Sequence, residues 1–346
     1  MDDRKQKVLL AIVQDFIATA EPVGSRTIAK KYGLGVSPAT IRNEMADLEE
    51  MGYIEQPHTS AGRVPSVRGY RYYVDYLMKK RELTRDEEEL IRSQLETKAR
   101  DVGRVIQRTG NLLSQLTSYT SMVLTQQMGP NNFKHVQLVQ MNPSQTMVIV
   151  VMDNGAVHNR MIETPESIIA SDLETLSKVL NAKLQGLNME TIKITLLKEL
   201  YFELGRHKHI LDLALELIQD SLALKEEDKI YLGGVFNMLT QPEFHNVERV
   251  KTMLGILEQE KLLCELLSGE SRDEGVTVRI GGEIKDYDIK DYSVVAAPYT
   301  LSGRKIGTVG VLGPTRMDYA KVISVVDFLT KNLSIALDRV IFGRGR

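Results

Sequence analysis

Tryptophan is absent from this 346-residue chain, aromatic residues make up 6% of it, and it has a single cysteine, Cys264. One thiol excludes a disulfide framework and a CxxC zinc site, and it fits a reducing cytoplasm. Long hydrophobic runs are missing too. No stretch approaches the ~20 apolar residues that a membrane helix needs, so no membrane partner is expected. The opening segment, MDDRKQKVLLAIVQDF, has acids on both sides of a short apolar run, unlike a signal peptide. Neither sign of charge is in excess: 44 Lys and Arg stand against 46 Asp and Glu, a net charge of −2. As a total, that balance points away from a polyanionic partner. The length predicts two or three domains.

Recognisable catalytic chemistry is also lacking. Gly303, Gly307, Gly310 and Gly313 fit neither GxGxxG nor GxxxxGK[ST], and they alternate with Ile306, Val309 and Val311 as in an antiparallel strand. Gly233-Gly234, after Ile230-Tyr231-Leu232, reads as a turn leaving a strand. His207 and His209, two residues apart, share no helix face, and no third ligand lies near. Cys264, within KLLCELL, reads as a small apolar residue of a helix. No enzymatic activity, cofactor or metal site is expected.

What is present begins at the N-terminus. Val8, Leu9, Ile12, Val13, Phe16 and Ile17 recur at helical spacing, predicting a helix over 1–19 that ends at Glu21-Pro22-Val23-Gly24. Ser25 opens a second, short helix carrying Ile28, closed by Gly33 and Gly35. Ser37-Pro38 is a strong start signal for a third, a hydroxyl cap followed by proline at the first helical position. That helix buries Ile41, Met45 and Leu48. A turn-rich loop, PHTSAGRVPS, then lies between two short pieces, Tyr53–Gln56 and about 69–74. Three helices and a loop-bearing hairpin within about 75 residues follow the order of a winged helix-turn-helix.

The charge pattern supports a nucleic-acid reading of this segment. Residues 22–43 contain Arg26, Lys30, Lys31 and Arg42 and no acid; residues 56–74 contain Arg63, Arg68 and Arg71, again with no acid. A carboxylate facing phosphates would be costly there. The acids gather instead at Glu44, Asp47, Glu49, Glu50 and Glu55. Residues 1–80 as a whole hold 12 basic and 10 acidic side chains, so the signal lies in distribution and not in the sum. Thr40, Arg42 and Asn43 lie off the buried stripe at the start of the third helix, where such a helix enters the major groove. Arg pairs with guanine and Asn with adenine through two hydrogen bonds each, and Thr reaches a thymine methyl. Ser25, Arg26, Ser37, Arg63, Arg68 and Arg71 are candidates for phosphate or minor-groove contact. A winged-helix protein-interaction module with a solvated basic face would show the same pattern, and the two readings stand side by side at this level.

Farther along, about 70–121 is proline-free and densely charged, predicting helix. His135–Met141 and Thr146–Met152 read as a hairpin, Ser171–Gln185 as a capped helix, and about 190–268 as largely helical. Stripes such as Ile210, Leu213, Ala214, Leu217 and Ile218, or Val250, Leu254 and Leu257, mark that region. Strand patterns return at Val276–Ile280, Tyr292–Pro298 and Lys305–Leu312, before a last helix with Val322, Val326, Leu329, Leu333 and Leu337. Strands, a helical block, then strands again suggest a helical insertion within an α/β domain.

The run GSRTIAKKYGLGVSPATIRNEMADLEEMGYIEQPHTSAGRVPSVRGYRYYVDYL resembles the start of the heat-inducible transcription repressor HrcA family, most specifically in PHTSAGRVPS and GYRYYVD. Further resemblance lies in Gly233-Gly234 with FNMLTQPEF, and in GTVGVLGPTRMDY. The resemblance implies an α+β multidomain protein: a winged helix-turn-helix (1–78), a linker helix plus GAF-like α/β domain (79–190 and 275–346), and an inserted helical dimerisation domain (191–274). It implies a homodimer on double-stranded DNA at an inverted-repeat operator, the CIRCE element, upstream of chaperone operons. It also implies repressor activity maintained by the GroE chaperonin. A rival reading is a metabolite-responsive repressor with its effector pocket in the GAF-like domain, where Met147, Val151 and Tyr292 either line a pocket or pack.

Overall fold

The computed structural model describes residues 1–58, 61–95, 102–125, 132–153, 157–165, 167–188, 191, 198–202, 208–223, 229–268, 275–284 and 289–342. They form two compact units, 1–126 with 228–346, and 127–227. No helix among the described residues is long and apolar enough to cross a membrane.

The first unit opens with three helices, α1 (Asp3–Thr19), α2 (Ser25–Lys31) and α3 (Pro38–Glu50). Two short antiparallel strands follow, β1 (Ile54–Glu55) and β2 (Val64–Pro65), and then α4 (Val67–Tyr72). The predicted cap at Ser37 is in place, accepting from the Thr40 amide at 3.1 Å, and Asp2 caps α1 in the same way, accepting from the Lys5 amide at 2.9 Å; each satisfies an orphan donor of a first turn. Val8, Leu9, Ile12, Ile28, Ile41 and Leu48 are all fully buried, in a core continuous with that of the sheet described below.

Much of 70–121 is helical as expected, in several elements. A single π-helical turn extends α4 to Leu77, and α5 (Arg85–Leu95) and α6 (Val102–Thr117) follow, with 96–101 outside the described residues. Ser118 ends α6 in the left-handed region at φ 62°, its amide donating to Ser114 O at 2.8 Å. No glycine or proline marks that stop, and strand β3 (Thr120–Thr125) begins two residues later.

The chain then enters the second unit: β4 (Phe133–Asn142), β5 (Gln145–Met152), β6 (Val157–Glu163), α7 (Ala170–Leu184) and α8 (Lys208–Ala223). The three strands form their own antiparallel sheet in the order β4-β5-β6. Here the expected domain boundaries need correction. Phe133, Val136 and Val148 of the hairpin share one core with Leu176 and Leu180 of α7 and Ile210, Ala214 and Ile218 of α8. A boundary at 191 would cut through that core, and the unit is mixed sheet and helix. The helix cap is also different from the one expected at Ser171: the Asp172 carboxylate accepts from the Ile169 amide at 3.2 Å.

Strand β7 (Lys229–Gly233) returns to the first unit and pairs with β3, Ser121 opposite Gly233 and Thr125 opposite Lys229. The whole second unit therefore occupies the connection between two neighbouring antiparallel strands. Helices α9 (Val235–Met238), α10 (Val247–Leu257) and α11 (Glu260–Ser268) follow, then β8 (Thr277–Ile280), β9 (Tyr292–Leu301), β10 (Arg304–Pro314) and α12 (Tyr319–Phe342). The sheet is antiparallel in the order β7-β3-β10-β9-β8.

Both faces of this sheet are covered. Val295, Ala297, Tyr299, Val309 and Val311 pack with α6 and α12; Met122, Leu124, Val294, Ala296 and Leu312 pack with α10 and α11. Residues 229–268 thus belong with the sheet, another departure from the expected insertion. The stripe Val322, Val326, Leu329, Leu333 and Leu337 is fully buried as predicted, each side chain contributing about 1.5–3 kcal/mol by leaving water.

Candidate nucleic-acid interface

Helix α3 turns about 100° per residue. With Ile41, Met45 and Leu48 buried, Asn43 stands opposite the core and Arg42 and Thr40 flank it. Arg42 and Asn43 are exposed and Thr40 is half-buried. Ala39 and Ala46, also exposed, lie on the same side as Asn43. These small residues leave a shallow surface that does not hinder close approach to a groove; the sequence reading passed over them because alanine carries no recognition chemistry. Ser37 caps the helix, and its hydroxyl lies 3.0 Å from that of Thr40.

The ribbon β1–β2 is anchored to the α1–α2 connection. Val23 N donates to Arg63 O at 2.8 Å and Arg63 N to Val23 O at 2.9 Å. Gly62 makes this possible: a Cβ there would sit 2.6 Å from Val23 C and O and 2.7 Å from Pro22 C. Thr59 and Ser60 of the loop PHTSAGRVPS lie outside the described residues.

The structure sorts the predicted cations into two groups. Arg26, Lys30 and Arg42 are exposed and have no hydrogen-bond or ion-pair partner among the described residues. Ser25, half-buried, opens α2 beside Arg26. Lys30 was counted in the acid-free stretch but not among the candidate contacts, and it belongs with this free group. The other cations are engaged. Arg63 grips the Glu49 carboxylate through Nε at 2.8 Å and Nη2 at 2.7 Å. Arg68 donates to Met51 O at 2.8 Å and lies 4.6 Å from the centre of the Tyr53 ring. Lys31 pairs with Asp15, a carboxylate only 4% exposed that also receives the Tyr32 hydroxyl at 3.3 Å. That contact holds the Lys31 ammonium above its ordinary pKa.

Arg71 departs furthest from expectation. Its guanidinium donates to the Glu283 carboxylate, to Val278 O at 2.7 Å and to Asp75 at 3.2 Å. The first two partners belong to the five-stranded sheet body, so this side chain is turned inward and is not presented to a phosphate.

The acids of α3 have a matching explanation. Lys5 of α1 lies 3.0 Å from both Glu44 and Asp47, and Arg4 lies 3.4 Å from Glu44. Together with Glu49 on Arg63, these pairs fasten the C-terminal half of α3 to α1 and to the ribbon. The N-terminal half is left with positive charge alone.

A family model for the HrcA protein C terminal domain matches residues 103–323. The heat-inducible transcription repressor HrcA of Pelotomaculum thermopropionicum is 74% identical over 346 residues, covering 100% of this chain and 99% of its own. That of Desulforamulus reducens is 58% identical over 344 residues, covering 99% of each. This chain belongs to the heat-inducible transcription repressor HrcA family.

As an HrcA protein it represses transcription and binds DNA. A crystal structure of a hypothetical protein shares 25% identity with it at a TM-score of 0.64, covering 98% of this chain and 99% of the other. In this HrcA chain only Tyr292, of the three positions named for a rival effector pocket, lies in a core. Tyr292 is 3% exposed with its hydroxyl on Arg249 O, while Met147 and Val151 are half-buried on β5 of the second unit. A cleft of about 330 Å³ does open beside β9 and α12, lined by residues that include Ala297, Pro298, Thr300, Asp327 and Ser334.

Proposed function

We propose that residues 1–77 act as a winged helix-turn-helix, and that a homodimer of this cytoplasmic repressor places one such head on each half of an inverted-repeat operator, the CIRCE element, upstream of chaperone genes. The observation that carries the reading is the set of exposed cations Arg26, Lys30 and Arg42, without partners among the described residues, around Asn43 and Thr40, on a head where Glu44, Asp47 and Glu49 are ion-paired to Lys5 and Arg63. Thr40, Arg42 and Asn43 read bases; Ser25, Arg26 and Ser37 position the head on phosphates, with Arg63 and Arg68 contributing from the ribbon side. The sheet body serves as the GAF-like domain. Activity is maintained by the GroE chaperonin, so that chaperonin occupied by damaged protein relieves repression.

A symmetric operator calls for a two-fold protein. Of the leucine-rich stripes between 190 and 270, Ile210, Ala214, Leu217 and Ile218 are core. Dimer contact then falls to apolar side chains left exposed there, among them Phe202 at 92%, Phe236 at 80% and Val247 at 74%.

The test is a fluorescence-anisotropy titration of the full-length protein on the inverted repeat and on a scrambled duplex of equal length, repeated across a salt series. Tight binding to the repeat with a steep negative log–log salt slope, about 0.9 per phosphate contact, is the expected result. Equal affinity for both duplexes would sink the operator reading.

A further inference from the structure

Two arginines fasten the reading head to the sheet body at separate points. Arg316, at the corner between β10 and α12, is 8% exposed. Its guanidinium donates to Ile17 O in the last turn of α1, to the Gln241 side-chain oxygen at 3.2 Å, and through two nitrogens to the Glu243 carboxylate. Helix α1 has no basic residue in its own last turn. The cation that meets its free carbonyls and negative dipole end comes from a residue 299 positions away. Arg71 is the second fastening, on Glu283 and Val278 O, and Glu283 is itself held by the Ile280 amide at 2.9 Å.

Tyr70 also lies at this junction. It is 2% exposed, its ring centre is 5.9 Å from that of Tyr319, and its hydroxyl has no hydrogen-bond partner among the described residues. The docked arrangement therefore carries an unsatisfied buried polar group, and the two guanidinium clusters hold it in place. Glu243 and Arg316 come from FNMLTQPEF and GTVGVLGPTRMDY, distant segments with no DNA-binding chemistry of their own.

We propose that Arg316 and Arg71 are positioning residues for operator reading. One contact would leave the head free to pivot, whereas two forked guanidinium contacts fix its rotation as well as its distance. The separation of the two heads in a dimer, and so the half-site spacing the repressor accepts, is then set by the sheet body and not by the stretch 78–84 that joins α4 to α5. The inference rests on the dimeric, inverted-repeat reading above.

The test uses full-length protein and four duplexes. They are the inverted repeat from upstream of the chaperone genes at its natural spacer, the same repeat with the spacer lengthened by about one and by about five base pairs (half a helical turn), and a duplex with one half scrambled. Wild type should prefer the natural spacer strongly. Arg71→Gln and Arg316→Gln should bind the single half-site within about twofold of wild type. On the natural spacer they should lose about tenfold or more, because two half-sites are no longer engaged together, and their spacer preference should flatten. Arg71→Lys, which keeps one charge but not the fork, should fall between.

Arg71 is partly exposed, so its variants answer the question even if Arg316→Gln does not fold. Unchanged spacer preference in Arg71→Gln would overturn the proposal. So would a loss on the single half-site equal to the loss on the full repeat, which would place these residues on DNA or in the head's own stability. Wild-type protein indifferent to the repeat would instead undo the function from which the inference starts.

Discussion

Arg42→Ala isolates base reading from folding. The side chain is exposed and has no partner among the described residues, so its removal leaves no buried group unsatisfied and opens no cavity. Stability should change by no more than about 0.5 kcal/mol. Against the operator, a lost bidentate contact to a base costs about 1–3 kcal/mol per subunit, or roughly 5- to 150-fold for each head. A two-fold dimer incurs the loss twice. Because a base edge carries no condensed counterion, the log–log salt slope should shift by much less than the ~0.9 expected for one phosphate contact. Anisotropy titrations at several salt concentrations, on operator and scrambled duplex, measure all three quantities. A large loss on the operator with little change on the scrambled duplex is the expected pattern. Equal losses on both, with the slope shallower by about 0.9 per head, would show that Arg42 meets a phosphate and that α3 is seated otherwise than argued.

Four further outcomes follow from particular contacts. Glu49→Gln should release Arg63 from its ion pair, raising affinity for every duplex and steepening the salt slope by up to about 0.9 per head; an unchanged slope would mean Arg63 stays out of reach of DNA. Gly62→Ala sets a methyl against Val23 backbone and strains the paired Val23–Arg63 hydrogen bonds, so the head should lose about 2–4 kcal/mol from overpacking and weakened bonds, read as a lower melting temperature. Burial pushes the hydroxyls of Tyr73, Tyr292 and Tyr299 up to about 12. Raised folded values give stability that is intact below the unfolded value near 10 and is lost as pH rises from 10 towards 12, so tyrosinate absorbance should appear together with unfolding; full ionisation with native circular dichroism would contradict it. Replacing 127–227 by a short hairpin turn should leave a folded body that still binds a half-site, since Thr125 and Lys229 already face each other across β3 and β7; an unfolded product would refute that.

Local structure was the most legible part of the sequence. Ser37-Pro38, the Ile41–Met45–Leu48 stripe and the α12 stripe all act within a few residues, where capping and helical periodicity operate, and each lies where it was read. The stop at Ser118 was hidden because a serine in the left-handed region carries no glycine signature, and β3 behind it went unread. Charge distribution exposed the head's basic side, but sequence could not tell free cations from engaged ones. Arg42 and Arg63 look equivalent on paper; only the fold brings Glu49 to Arg63, and only the sheet body brings Glu283 to Arg71.

What the sequence determined by itself is the three-helix head with its acid-free stretches and family membership through motifs that run from residue 24 to 319. Tertiary structure decided the rest. The extent of the insertion depends on which strands share a core, and β3 pairing with β7 across a hundred intervening residues leaves no local trace. The attachment of the head depends on Arg316 meeting a helix end nearly three hundred residues away. Such contacts follow from where the whole chain packs, and short-range pattern carries no information about them.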